Sequence, residues 1–310
     1  MLAVVNHTRV GFPHWHFHPD VWVVVFLLGG AYLLAVHRHG VQATKATAVP
    51  ARDRLHPRRG LGQGVQATSR RQVVAFSAGV AVLWLASDWP IHDLAEHYLY
   101  SFHMVQHLIF TLVVAPLLLL GLPEWMARRL LSPRWLLAAV KGVAKPITNL
   151  VQFNTVLVLS HWPLIVEATL RHHPLHFVAH AVLLTSALLM WLPILSPHPE
   201  IPRLAPLTQM VYLFMQTIIP TVPASFLTFG RTMLYPIYGT FPRLWGANPL
   251  TDQQVAGLIM KIGAGMYLWG VIAVIFFRWY AREEAKPRDV LLWEDVEREL
   301  HKPTGTPHLQ

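Results

Sequence analysis

Seven apolar stretches, bounded by charged, proline or aromatic residues, divide this chain: 22–36, 73–87, 98–120, 147–168, 175–195, 207–229 and 255–280. A helix needs about 20 apolar residues to cross about 30 Å of hydrocarbon, so the pattern predicts seven transmembrane helices, the first two short. The segments between them sort by charge. Segments 37–72 and 121–146, the turn around Pro197 and the tail from Arg278 together hold twenty Lys and Arg, whereas the alternate set holds only Arg9, Arg171, Arg231 and Arg243. Basic residues near span ends stay cytoplasmic, which predicts an N-terminus outside and a C-terminus in the cytoplasm. The expected fold is therefore all-α, an integral membrane bundle of seven transmembrane helices. Residues 1–20 form an outer His-rich segment, 21–280 the membrane domain with a cytoplasmic loop at 37–72, and 281–310 a cytoplasmic tail. The loop is rich in Pro and Gly and reads as a flexible connector. In the tail, Leu292, Trp293, Val296 and Leu300 recur at near-helical spacing, as in a short amphipathic helix on the inner surface or a disordered end. The first 20 residues lack a basic start followed by an apolar run and cleavage site, so the first span is expected to be retained.

Composition agrees with the membrane reading and narrows the chemistry. With 54% apolar residues, 13% charged and a mean hydropathy of +0.39, the chain is excluded from the soluble globular class. The net charge of +9 belongs mostly to the predicted cytoplasmic side, where it meets anionic headgroups of the bilayer; no nucleic-acid motif competes for it. There is no cysteine, so thiolate ligation and disulfides are unavailable, and a metal would rest on His, Met, Asp, Glu or Tyr. No Ser/His/Asp arrangement, phosphate loop or hydrolytic carboxylate pair stands out, and no enzymatic activity is expected.

The histidines carry the candidate chemistry. Thirteen of nineteen fall on the predicted outer side. His103/His107 and His176/His180 are spaced four apart, which on a helix places both imidazoles on one face, about 6 Å apart along the axis. A rise of about 1.5 Å per residue sets His103, His107 and His180 about 7–14 Å below the outer surface, with His161 of the fourth span at similar depth. Ionisable groups inside a bilayer usually face a bundle interior or a watery cavity. Imidazole suits copper, zinc, iron and nickel, and the thioether of Met104 would tilt a site toward Cu(I). Around this core, Asp88, His92, Asp93, Glu96 and His97 form a mixed carboxylate and imidazole surface before the third span. His14, His16 and His18 read as a solvated tail or as a segment able to hand an ion inward. Glu167 reads as a surface carboxylate or as an acceptor orienting an imidazole. His172 and His173 decorate a loop.

The run His103-Met104-Val105-Gln106-His107, continuing to Ala115-Pro116 and Leu120-Gly121-Leu122-Pro123, resembles the signature of the polytopic CtaG family of cytochrome c oxidase assembly factors. Ser160-His161-Trp162-Pro163, His176 to His180, Ile219-Pro220 to Phe229, and Asp252-Gln253-Gln254 through Gly257 to Met260 extend the similarity over about residues 12–282. The resemblance implies a multi-pass protein of the bacterial plasma membrane that helps mature an aa-type, copper-containing oxidase. It implies as partners an oxidase subunit carrying a copper centre and a copper donor protein. Copper is the implied cargo, with His103, His107, His176, His180, His161 and Met104 as candidate ligands. The chain departs from the pattern at Leu117, where a second proline is common, and at Lys261-Ile262-Gly263, which replaces a Trp-containing stretch. The cysteine-based site of the unrelated single-span copper chaperone sharing the family's name cannot exist here.

Three rival readings follow from the same residues. Histidines on facing helices can ligate a haem, as in cytochrome b proteins. Pro220 and Pro223 break the sixth helix and free backbone carbonyls, as a metal or solute transporter would require. Seven spans with Lys261 in the last match a retinal protein, but Lys261 lies within snorkelling reach of the surface and the third span offers no carboxylate counter-ion.

Overall fold

The computed structural model describes residues 15–47 and 68–285, with Glu297 and His301; His14, most of the loop at 37–72 and the Leu292, Trp293, Val296, Leu300 pattern lie outside the described residues. Among the described residues the only regular secondary structure is helical, with no strand. Six helical stretches are long and apolar enough to cross a membrane, and a bent pair makes a seventh.

The first stretch, α1 (Pro19–Thr47), outruns the predicted 22–36 and takes the first residues of the expected connector into the helix. Good helix formers (Gln42, Ala43, Lys45, Ala46) follow the apolar run, and no proline interrupts before Pro50. Helix α2 (Arg70–Ser87) starts on a capping box in which Ser69 and Gln72 satisfy each other's backbone N–H groups. It is followed by α3 (Ile91–His97), where the sequence suggested an exposed loop. The turn between them is held by Asp88, whose carboxylate accepts from the indoles of Trp15 and Trp84 at 3.3 and 3.1 Å. This short helix folds inward, burying His92 and Asp93.

The third span is continuous but not uniform. Helix α4 (Tyr100–Leu108) passes through a π-helical stretch, Ile109–Val114, into α5 (Ala115–Gly121). Pro116 has no N–H for the carbonyl one turn back, and the widened turn before it leaves the Thr111 carbonyl to accept from the Trp191 indole at 2.8 Å. Two surface helices, α6 (Glu124–Leu130) and α7 (Arg134–Val143), lead to the fourth span. Here the structure corrects the continuous helix expected at 147–168: α8 (Pro146–Ser160) and α9 (Pro163–Arg171) meet at 65°. Pro163 cannot donate to an upstream carbonyl, so the helix ends at His161 and restarts.

Helix α10 (His173–Leu195) runs beside the third span in the same direction, its early histidines against those of α4 and its late Trp191 against Thr111. The bent pair runs the other way, since Asn149 at its start donates to the Leu189 carbonyl near the end of α10. Helices α11 (Pro206–Ile218) and α12 (Thr221–Phe229) are divided at Pro220, as the sequence suggested. The last stretch comprises α13 (Pro249–Leu258), a second π-helical segment at Ile259–Gly263 and α14 (Ala264–Glu284). A buried ladder joins three of these spans: Asn154 Nδ2 donates to Gln216 Oε1 (2.7 Å), Gln216 Nε2 to the Tyr212 hydroxyl (2.9 Å), and that hydroxyl to the Met190 carbonyl (2.9 Å). Interhelical polar contacts of this kind hold helices together where lipid supplies no hydrophobic drive.

The first turn of the third span is capped from 152 residues away. No side chain near Leu99 caps α4, and the Asp252 carboxylate of α13 instead accepts from the Tyr100 and Ser101 backbone N–H groups at 2.6 and 3.3 Å. A carboxylate there also meets the positive end of the helix dipole. Asp252→Ala is expected to cost about 2–3 kcal/mol, because it strands buried donors that had a charged partner; a lowered unfolding midpoint in detergent, with unchanged helix content, is the check.

Candidate metal centre

Four imidazoles converge where α4 and α10 lie side by side. Ligating atoms of His103, His176 and His180 all lie within 4.8 Å of one another. His180 Nε2 is 3.0 Å from His176 Nε2 and 3.2 Å from His107 Nε2. Nitrogens about 2.0–2.1 Å from one tetrahedral ion stand about 3.3 Å apart, so this spacing suits shared ligation. His103, His107 and His176 are buried, and His180 is half-buried.

The protonation pattern is set by residues that the sequence did not single out as parts of the cluster. Gln106, fully buried between the two α4 histidines, donates through Nε2 to the Ala86 carbonyl (2.7 Å) and to His92 Nδ1 (3.0 Å). His92 then carries its proton on Nε2, which faces Glu96 Oε2 at 3.4 Å. The other carboxylate oxygen of Glu96 bonds His176 Nδ1. The Glu96 carboxylate on Nδ1 turns Nε2 of His176 toward His180, the orientation a metal-binding histidine needs. The expected surface at 88–97 is thus corrected: α3 folds back and supplies the carboxylate that orients the cluster. The i,i+4 spacing of His92 and Glu96 was the available signal.

A cavity of about 130 Å³ opens beside these histidines, lined by His92, Glu96, His176 and His180, and farther out by Asp20 and His173. His18, Asp20 and His173 form a second group whose ligating atoms lie within 4.8 Å of one another. His18 is buried with Nε2 3.1 Å from Asp93, so the solvated-tail reading fails for this residue. His16 also approaches Asp93, at 3.5 Å, but is mostly exposed. Glu167 faces outward and pairs with Arg171 at 2.6 Å, as the surface reading expected.

His161 and Met104 lie on the other side of His107. His161 ends α8 with Nδ1 2.7 Å from the Leu157 carbonyl, its ring centroid 6.0 Å from that of His107. The backbone at the break is fixed by the Tyr235 hydroxyl, which donates to the His161 carbonyl at 2.7 Å. Burial raises the pKa of that hydroxyl to about 12, so it stays a donor at physiological pH. Met104 is buried and borders a second, smaller cavity with His107 and His161, not the first one.

A family model described as "Cytochrome c oxidase caa3 assembly factor (Caa3_CtaG)" matches residues 48–282. No curated protein and no solved structure matches the chain. The family match spans well over half of the 310 residues, so the chain belongs to the caa3 cytochrome c oxidase assembly factor family.

Proposed function

We propose that the chain, as a caa3-type assembly factor, takes up copper on its imidazole cluster at the outer face of the bacterial plasma membrane and passes it to an oxidase subunit during maturation. The observation that carries this reading is the convergence of His103, His176 and His180, with His107 joined through His180 and His176 oriented by Glu96. Neutral imidazoles bind copper reversibly through an unprotonated ring nitrogen, giving up the proton of any hydrogen bond between them, and ligand exchange with a partner's copper centre releases it. A copper donor protein would deliver the ion at the mouth of the larger cavity, where His18, Asp20 and His173 meet. The excess of Lys and Arg on alternate segments supports an outer location for this end of the bundle, with the N-terminus outside and the tail in the cytoplasm. In this role the chain binds and hands over cargo without catalysing a reaction.

Two features weigh against the rival readings. The cavities beside the histidines are about 130 and 50 Å³, well below the roughly 300–1,000 Å³ of pockets that enclose organic ligands, which disfavours haem. They share no lining residue among those described, and His107 of one touches His180 of the other, which favours handover over an open transport path.

Glu96→Gln tests the reading without removing a ligand. Loss of an oriented carboxylate behind a metal-binding histidine costs about 10–100-fold in affinity. The variant should show a drop of that size in copper affinity, measured by chelator competition on the detergent-purified protein, at unchanged membrane abundance. Parental affinity in the variant would contradict the assignment.

A further inference from the structure

Beyond His107 the bundle encloses a cavity of a different chemical character. Its walls hold three thioethers, Met104, Met190 and Met260, and two imidazoles, His107 and His161, in about 50 Å³. The three methionines are at most 2% exposed and come from three different spans. They are three of only nine in the chain, so their convergence on one small cavity is not what scattered apolar filler gives. Both histidines keep a ring nitrogen without a hydrogen-bond partner, Nδ1 of His107 and Nε2 of His161, although both residues are buried. A buried imidazole nitrogen without a partner is costly unless something else engages it. Both π-helical segments border this space as well, through Thr111 and Leu112 on one side and Met260 and Lys261 on the other. Short π-helical turns inside α-helices are frequent at functional sites.

Charge separates this cavity from the first. The larger one carries Asp20 and Glu96 and can compensate a divalent ion. The smaller has neither Asp nor Glu on its walls, and its charged lining residue is Lys261, an exposed cation. A dication buried there without a carboxylate would bear its full desolvation cost, whereas a monovalent ion with soft ligands bears far less. Thioether and imidazole together select Cu(I). We infer that Met104, Met190, Met260, His107 and His161 form a second, Cu(I)-selective site, to which His107 passes copper that the imidazole cluster already holds as Cu(I), with no change of oxidation state. This inference rests on the copper reading above and adds Met190 and Met260, which no local sequence pattern singles out. His107 serves both sites in turn: its Nε2 faces His180 of the cluster and its Nδ1 has no hydrogen-bond partner, so handover moves the imidazole proton from one ring nitrogen to the other.

The test is copper K-edge X-ray absorption on the full-length, detergent-purified chain loaded with Cu(I), beside the Met190→Leu/Met260→Leu variant. Leucine conserves volume, so packing around the cavity is kept. Sulfur neighbours around copper in the parent, lost in the variant together with part of the bound copper while nitrogen-bound copper remains, is the expected result. Copper with nitrogen neighbours alone in the parent would overturn the thioether site and leave the imidazole cluster standing. A parent that binds no copper would overturn both. The parental spectrum decides between these outcomes even if the variant is poorly folded.

Discussion

Replacing His103 and His107 together by alanine should leave the chain in the membrane and leave the oxidase it matures without copper. His103 is one of the three residues whose ligating atoms converge, and His107 is joined to His180 at 3.2 Å on one side and borders the inner cavity on the other. The pair therefore removes a ligand from the cluster and cuts its link to the cavity beyond. If loss of an orienting partner already costs about 10–100-fold in affinity, loss of two ligands should cost at least about 100-fold. The fold should survive, because neither substitution buries a charge, and the long-range Asp252 cap and the Asn154–Gln216–Tyr212 ladder are untouched. The check is copper content and activity of the oxidase in membranes of the variant strain, beside an immunoblot of the chain itself. A fully copper-loaded oxidase would contradict the assignment.

Gly121→Ala should have the largest effect on the fold, and it lies at the opposite end of the bundle from the metal cluster. A Cβ on Gly121 would stand 2.5 Å from Phe76 Cβ and 2.6 Å from Phe76 Cα, so the obstacle is the backbone of α2 and not a side chain that could swing away. The same corner receives α1: the Tyr32 hydroxyl donates to the Gly121 carbonyl at 2.8 Å, and its ring stacks on Phe76 at 3.8 Å. Small residues let membrane helices approach this closely, and van der Waals contact is the main term holding them. Overpacking a rigid contact costs about 1–3 kcal/mol and more where backbone must move. Gly121→Ala is expected to reach or exceed the top of that range and to reduce the amount of folded chain in the membrane. Parental yield and unfolding midpoint would show that α2 and α5 can separate without penalty.

Much of this was legible in the sequence for identifiable reasons. Apolar runs of bilayer length and the lopsided distribution of basic residues give a multi-span bundle, and spacings of four give His103/His107 and His176/His180 as facing pairs. The residues that carry the family resemblance divide into two kinds once placed. His103, His107 and Gln106 shape the cluster, whereas Gly121, Asp252 and Gly257 serve packing and capping: a Cβ on Gly257 would meet the Ala224 carbonyl at 2.8 Å. Other features depend on contacts that no local pattern encodes. The role of Glu96 follows from α3 folding back against α10, and that of His18 from Asp93, 75 residues away. The broken fourth span was readable at Pro163, but that the break delivers His161 beside His107 depends on how α8 and α9 sit against α4. Met190 and Met260 look like any methionine in an apolar run, and only the rotation of three helices brings them to one cavity.

Whether the imidazole cluster binds copper is decided by elemental analysis of the detergent-purified chain beside its His103→Ala/His107→Ala variant after growth with copper. Stoichiometric copper in the parent and its loss in the variant is the expected result. Iron with a Soret band in the parent, or no metal in either protein, would contradict it.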